Sequence, residues 1–165
     1  KDMERINREI KDIEAKMMEL IKSSDSMNEN YKPVTSVKGI AMINTVAIPV
    51  ATQNFTRFAN SRQFACYAGL APFGSQSGTS INVAPHVSHP ADKKIKVLLT
   101  RAALCAIRHD TDIGRYYRRK MAEGKQEWLI VNNVRNKLIH RIFAIVRTGI
   151  FYQVDFKKTL DKKSA

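Results

Sequence analysis

The 165-residue sequence predicts an all-α fold: a long amphipathic helix of coiled-coil type, then a compact helical domain with a helix-hairpin-helix-like start. Three observations predict it. Apolar residues recur at alternating three- and four-residue spacing over 1–27. Apolar positions keep helical spacing over 91–109 and again over 126–147. Glycines, prolines and short Ser/Asn/Asp clusters punctuate the segments where helices have to stop.

The first segment carries Met3, Ile6, Ile10, Ile13, Met17 and Leu20 on one seam, with Lys, Glu, Arg and Asp between them. Glu4/Arg8 and Asp12/Lys16 are opposite charges at i,i+4. At ~1.5 Å per residue this is a rod of roughly 38 Å. The narrow stripe suits a coiled coil with another helix, hence a homo-oligomer through 1–27; the alternative is a helix lying on its own domain. Ser23-Ser24-Asp25-Ser26 weakens the pattern, and 28–33 reads as a linker closed by Pro33. The division expected is 1–30 coiled coil, 31–152 helical domain and 153–165 basic tail.

The domain opens on Val37-Lys38-Gly39-Ile40, followed by apolar helical spacing to Ile48. A glycine turn at a helix start lets backbone N–H groups approach a phosphate, and Lys38 adds a cation; a plain helix–helix turn fits equally. Pro49 should end or kink this helix, and Asn54 to Phe58 form a short loop. Asn60 or Ser61 then caps a helix over 62–68, and Gly69 stops it. Next comes a stretch poor in helix formers, Tyr67 to Ser80, read as a flexible loop with Ser75, Ser77 and Ser80. Ile81-Asn82-Val83 alternates weakly and suits a short extended piece. His86 and His89 read as loop or capping residues. Ser88 or His89 caps the next helix, with Pro90 in its first turn. Another helix starts at Asp110-Thr111-Asp112 and stops at Gly124. The last spans about 126–147, with Trp128, Leu129, Val131, Val134, Leu138 and Ile142 at core spacing, and stops at Gly149.

Composition narrows the function. Net charge is +13. Residues 1–30 carry eight acids and six Lys/Arg, a net of −2; the remaining 135 carry seven acids and 22 Lys/Arg, a net of +15. The excess therefore sits on the domain and favours a polyanion, most simply DNA. No apolar run reaches ~18 residues, and no signal peptide is visible, so a cytoplasmic protein with no membrane partner is expected. Cys66 and Cys105 lie in apolar patterns and read as buried free thiols; no metal-ligand spacing is present. The phosphate-contact candidates are Lys38, Gly39, Lys93, Lys94, Lys96, Arg101, Arg118, Arg119, Arg135 and Lys137. Of Tyr116 and Tyr117, one is expected in the core and the other is free to stack on bases.

Residues 37–152 resemble the C-terminal domain of the IS-one-ten group of insertion-sequence transposases, related to Piv-type DNA invertases. The run Arg62-Gln63-Phe64-Ala65-Cys66-Tyr67-Ala68-Gly69-Leu70-Ala71-Pro72, followed by Ser77-Gly78, carries most of the resemblance. Lys93-Lys94-Ile95-Lys96, Tyr116-Tyr117 and Arg135-Asn136-Lys137-Leu138 support it. The chain departs from the family pattern at Ala41, at Thr45 and at His89-Pro90-Ala91-Asp92. The resemblance implies DNA recombination with a serine nucleophile: Ser77 from the Ser-Gly match, then Ser80, then Ser75. It implies a RuvC-like domain in the full-length protein, with acidic residues holding a divalent metal such as Mg, and no cofactor in this part. It also implies, for some members, a structured guide RNA. The sequence begins at Lys1, inside a repeating pattern, and is read as part of a longer chain that is inactive alone. The rival readings are a non-catalytic helical DNA- or RNA-binding module and a coiled-coil oligomerisation device with a basic cap.

Overall fold

The computed structural model describes residues 2–70, 73–77, 81–86 and 92–153. Seven helices and one hairpin follow in order: α1 (Asp2–Ser23), α2 (Asp25–Thr35), α3 (Met42–Thr52), α4 (Ser61–Tyr67), β1 (Phe73–Ser77), β2 (Ile81–His86), α5 (Lys93–His109), α6 (Thr111–Ala122) and α7 (Glu127–Thr148). The body is all-α, as predicted, with the strand pair inserted between α4 and α5. The Ser/Gly stretch expected to be a loop is thus a strand over 73–77. It pairs antiparallel with β2, Ser75 opposite Val83 and Ser77 opposite Ile81, with an irregularity between Phe73 and Ser75. The weak Ile81/Val83 alternation supplies the partner that the Gly/Ser composition of β1 does not advertise.

The core forms where α5 and α7 pack together and α2, α3, α4 and α6 close around them. From α7 come Val131, Val134, Leu138, Ile139, Ile142 and Ile145, and from α5 Ile95, Leu99, Ala102, Ala103 and Ala106. A fully buried Leu138 or Ile142 contributes about 1.5–3 kcal/mol. The alanine face of α5 leaves room for the turn between α2 and α3. Gly39 there has φ +93°, and a Cβ on it would stand 2.5 Å from the Ala102 carbonyl oxygen and 2.9 Å from Ala106 Cβ. Both conformation and packing require glycine at that point.

Several expectations are corrected. The 28–33 linker is helical, part of α2; the chain breaks instead at Ser24 (φ −111°, ψ 110°). Pro33 and Pro49 each sit in a final turn, with the helix running two and three residues past them. Each proline forgoes one i→i−4 bond to the turn before it, and the helix still completes its last turn. Asp92 caps α5, accepting from the N–H of Lys94 and of Ile95. Cys66 and Cys105 are free, but Cys66 is half-buried and Cys105 exposed. The covered stripe of α7 begins one turn in, at Ile130, which leaves Trp128 and Leu129 66% and 51% exposed. On α1, Met3, Ile6, Ile10, Ile13 and Leu20 are all exposed and only Ile21 is buried, against α2. So α1 does not lay its stripe on the described part of the domain. Ser80, Ser88, His89, Pro90 and the lysines of the tail lie outside the described residues.

Candidate nucleic-acid interface

The hairpin is tied down at both ends. Asn60 caps α4 through the N–H groups of Arg62 and Gln63, and Gly69 (φ +67°) turns the chain out of it. Leu70, buried, donates its N–H to the Ala65 carbonyl at 2.9 Å. Its own carbonyl accepts from Asn132 Nδ2 at 3.0 Å and Asn136 Nδ2 at 3.5 Å, both on α7. On the return, the Asp92 N–H donates to the Tyr67 carbonyl at 3.0 Å, and the Tyr67 hydroxyl donates to Asp92 Oδ2 at 3.1 Å. Helices α4, α5 and α7 therefore hold Leu70 and Asp92, the two points between which the chain carries Ser75 and Ser77.

Cations gather beside that root. Lys93, Lys94 and Lys96 occupy the first turn of α5, which contains no acid. Like charge at the positive end of a helix dipole weakens the helix, and among the described residues none of the three lysines forms an ion pair. One turn on, the Thr100 hydroxyl donates to the Lys96 carbonyl at 2.7 Å and accepts from Arg135 Nη1 at 3.0 Å. Arg135 is 8% exposed, its Nε has no partner, and among the described residues no carboxylate faces it. Burial alone pushes its pKa below the usual guanidinium value. A guanidinium desolvated without a counter-charge is destabilising until an anion reaches it.

The other predicted cations form separate groups. On α6 and α7, Lys137 and Arg119 lie over the Tyr116 ring at 4.6 and 5.7 Å, and Arg119 also faces Glu123 at 3.7 Å. Arg118 is exposed on the same helix. Tyr116 packs half-buried on the core, and half-buried Tyr117 donates its hydroxyl to Glu127 at 2.9 Å, which raises its pKa. Lys38 is exposed next to Gly39, which rests on Ala102, the neighbour of exposed Arg101. The ten predicted positions fall on the turn between α2 and α3 and on α5, α6 and α7.

Residues 31–118, from α2 to α6, match the family described as Transposase IS116/IS110/IS902 family. The chain belongs to this family. It is 29% identical over 120 residues to a 43.6 kDa insertion element IS110 protein of Streptomyces coelicolor, covering 73% of this chain and 29% of that one. It is 23% identical over 139 residues to the pilin gene-inverting protein of Moraxella bovis, covering 84% of this chain and 43% of that one. The chain spans less than half the length of either relative. The transposase-family match contains the hairpin and the lysine turn of α5, while Arg135 and Lys137 lie beyond it.

Sequence reasoning missed the residues that hold the chain of this transposase domain on either side of the hairpin, Asn132, Asn136 and Asp92, and Thr100, which holds Arg135. The Asn132/Asn136 pair at i,i+4 beside the apolar stripe of α7 was a visible signal. Asn44 was another, a polar residue in an apolar helix, buried with an unpartnered Oδ1. Among the described residues no group of three His, Cys, Asp or Glu could hold a metal ion, and no helix is long and apolar enough to cross a membrane.

Proposed function

We propose that the chain is the DNA-binding, serine-bearing part of an insertion-sequence transposase, with Ser77 as nucleophile. The observation that carries this reading is the hairpin root. The chain that goes on to Ser77 leaves α4 bonded to Asp92, next in sequence to lysines with no ion pair among the described residues, and to Asn132 and Asn136, which flank the buried Arg135 on α7. In the reaction, Ser77 Oγ attacks a phosphodiester phosphorus. A Ser–O–P bond forms, the P–O bond to one strand end breaks, and that end leaves as a hydroxyl after taking a proton. Lys93, Lys94, Lys96 and Arg135 hold the phosphate and stabilise the charge gathering on its oxygens. A divalent ion belongs to the acidic domain that the family resemblance implies elsewhere in the full-length protein. Without that domain the chain binds DNA and leaves it intact. Whether a structured RNA joins the complex does not alter this role.

The exposed seam of α1 supports self-association. Its isoleucines Ile6, Ile10 and Ile13 are 46%, 47% and 58% exposed, which a second helix would relieve by about 0.8 kcal/mol per buried CH₂. Sedimentation of a chain lacking 1–30 should then show a smaller species, and an unchanged one discards the coiled coil. For the serine, Ser77→Ala in the full-length protein should abolish recombination and leave DNA binding intact. Recombination that survives the change would leave a non-catalytic binding module as the better account.

A further inference from the structure

A cavity of about 520 Å³ opens between the loop after α3, the start of α4 and the last turns of α7. Its walls are the half-buried rings of Phe55, Phe58 and Phe143. Phe55 meets Phe143 edge-on, with centroids 5.2 Å apart and planes at 84°. Fully buried Phe64 backs both Phe58 (5.5 Å) and Phe143 (5.7 Å). At the mouth, Ser61 Oγ and His140 Nδ1 are hydrogen-bonded at 2.7 Å, and Arg147 completes the rim. No lining residue is acidic.

The loop that delivers Phe55 is strained. Gln53, Asn54 and Phe55 have φ of 48°, 52° and 66°, three consecutive non-glycine residues in the left-handed region. The surroundings over-determine that shape. The Asn54 N–H donates to the Pro49 carbonyl at 2.7 Å, the Phe55 N–H to Thr52 Oγ1 at 3.0 Å, and the Arg57 N–H to the Thr52 carbonyl at 2.9 Å. Asn30 Nδ2 on α2 donates to Asn54 Oδ1 at 2.8 Å. Phe55, Phe58 and Phe143 pack on the core and still leave ring surface open to the cavity, and backbone strain held by so many bonds clusters at binding sites. Arg57 meanwhile lies over the Phe58 and Tyr67 rings at 5.2 and 4.7 Å.

Flat apolar walls, a rim offering donors and acceptors, and an arginine with no acid in the lining suit an aromatic ring with a polar edge on a polyanionic strand. We infer that the Phe55–Phe58–Phe143 cavity receives an unpaired base of a DNA strand, with Ser61 and His140 meeting its edge and Arg147 its phosphate. The inference rests on the DNA-binding role proposed above. It adds a single-strand subsite next to the end of α4, because Phe58 packs on Tyr67 at 5.2 Å and Tyr67 bonds Asp92. Recombination requires strands to separate, and a pocket that takes an unstacked base lowers the cost of that opening.

The test compares the intact chain with Phe58→Leu, which keeps apolar bulk and loses the π-face, and with Arg147→Gln. Affinity is measured for one oligonucleotide as single-stranded DNA, as duplex and as single-stranded RNA. Fluorescence of a 2-aminopurine in the single strand reports stacking. Phe58→Leu should weaken single-stranded DNA about tenfold, abolish the quenching and change duplex affinity less than twofold. Equal loss for single strand and duplex, or no loss for either, overturns the pocket alone. Tighter binding of the RNA with the same sensitivity to Phe58→Leu overturns DNA as the source of the base. A variant that keeps single-strand affinity but changes its sedimentation assigns the cavity to a second copy of the chain and overturns the inference. A wild-type chain that binds neither DNA form overturns the DNA-binding role and the pocket with it.

Discussion

The two ends of α5 are each marked by an aspartate, and the charges around them are treated in opposite ways. At the C-terminal end, Asp110 is 1% exposed and fully used. Its Oδ1 caps α6 through Asp112 and Ile113 N–H, and its Oδ2 accepts from Arg141 Nη1 at 3.0 Å and from the Tyr152 hydroxyl at 2.7 Å. Burial, and secondarily the bond to Asp110, pushes the Tyr152 phenol well above its ordinary pKa. At the N-terminal end, Asp92 caps its helix, but the lysines that follow have no ion pair among the described residues. Arg135 behind them is buried, with a single neutral partner among the described residues. Charges that build the fold are closed into a network. Charges left open at a cost to the fold are the ones to assign to a ligand.

This contrast can be broken in three places. The largest effect belongs to Asp110→Ala. It removes a cap and leaves Arg141 and Tyr152 without their shared acceptor, and should cost about 3 kcal/mol in urea unfolding; a loss under ~1 kcal/mol would mean the network is not structural. Next is Gly39→Ala, where the Cβ meets the Ala102 carbonyl at a positive φ. It should destabilise by about 2 kcal/mol, with DNA affinity falling only as far as the fold does. Near-native stability together with lost DNA binding would assign Gly39 a phosphate contact beyond its packing role. The smallest effect on stability belongs to Lys93→Gln/Lys94→Gln/Lys96→Gln. Relieving like charge at the helix start should leave the melting temperature level or slightly raised. The slope of log K against log salt should fall by ~0.9 for each phosphate that the variant no longer neutralises, and an unchanged slope would make these lysines a solvated face.

Much of the helical architecture was legible in the sequence because it rests on local rules. Asn60 at a helix start, and Gly69, Gly124 and Gly149 at positive φ where helices stop, are all readable from residue type and spacing. The basic helix and the serine stretch were legible as well. The hairpin was not, because Gly and Ser in β1 carry little strand propensity and owe their conformation to pairing with β2. The coverage of Trp128 was misjudged because periodicity marks a face without saying what lies against it. The pairing state of each cation was beyond sequence: Arg135 and Arg141 look alike on α7 until their partners are known. Nor does any spacing rule announce three left-handed residues in a row.

The most direct measurement is to trap the full-length transposase on its DNA during recombination, digest the complex, and locate the nucleotide-bearing residue by mass spectrometry. The account predicts a phosphodiester on Ser77, absent in Ser77→Ala while DNA binding persists. An adduct on Ser75 or Ser80 would move the nucleophile along the hairpin, and recombination with no protein–DNA bond at any of the three serines would contradict the account.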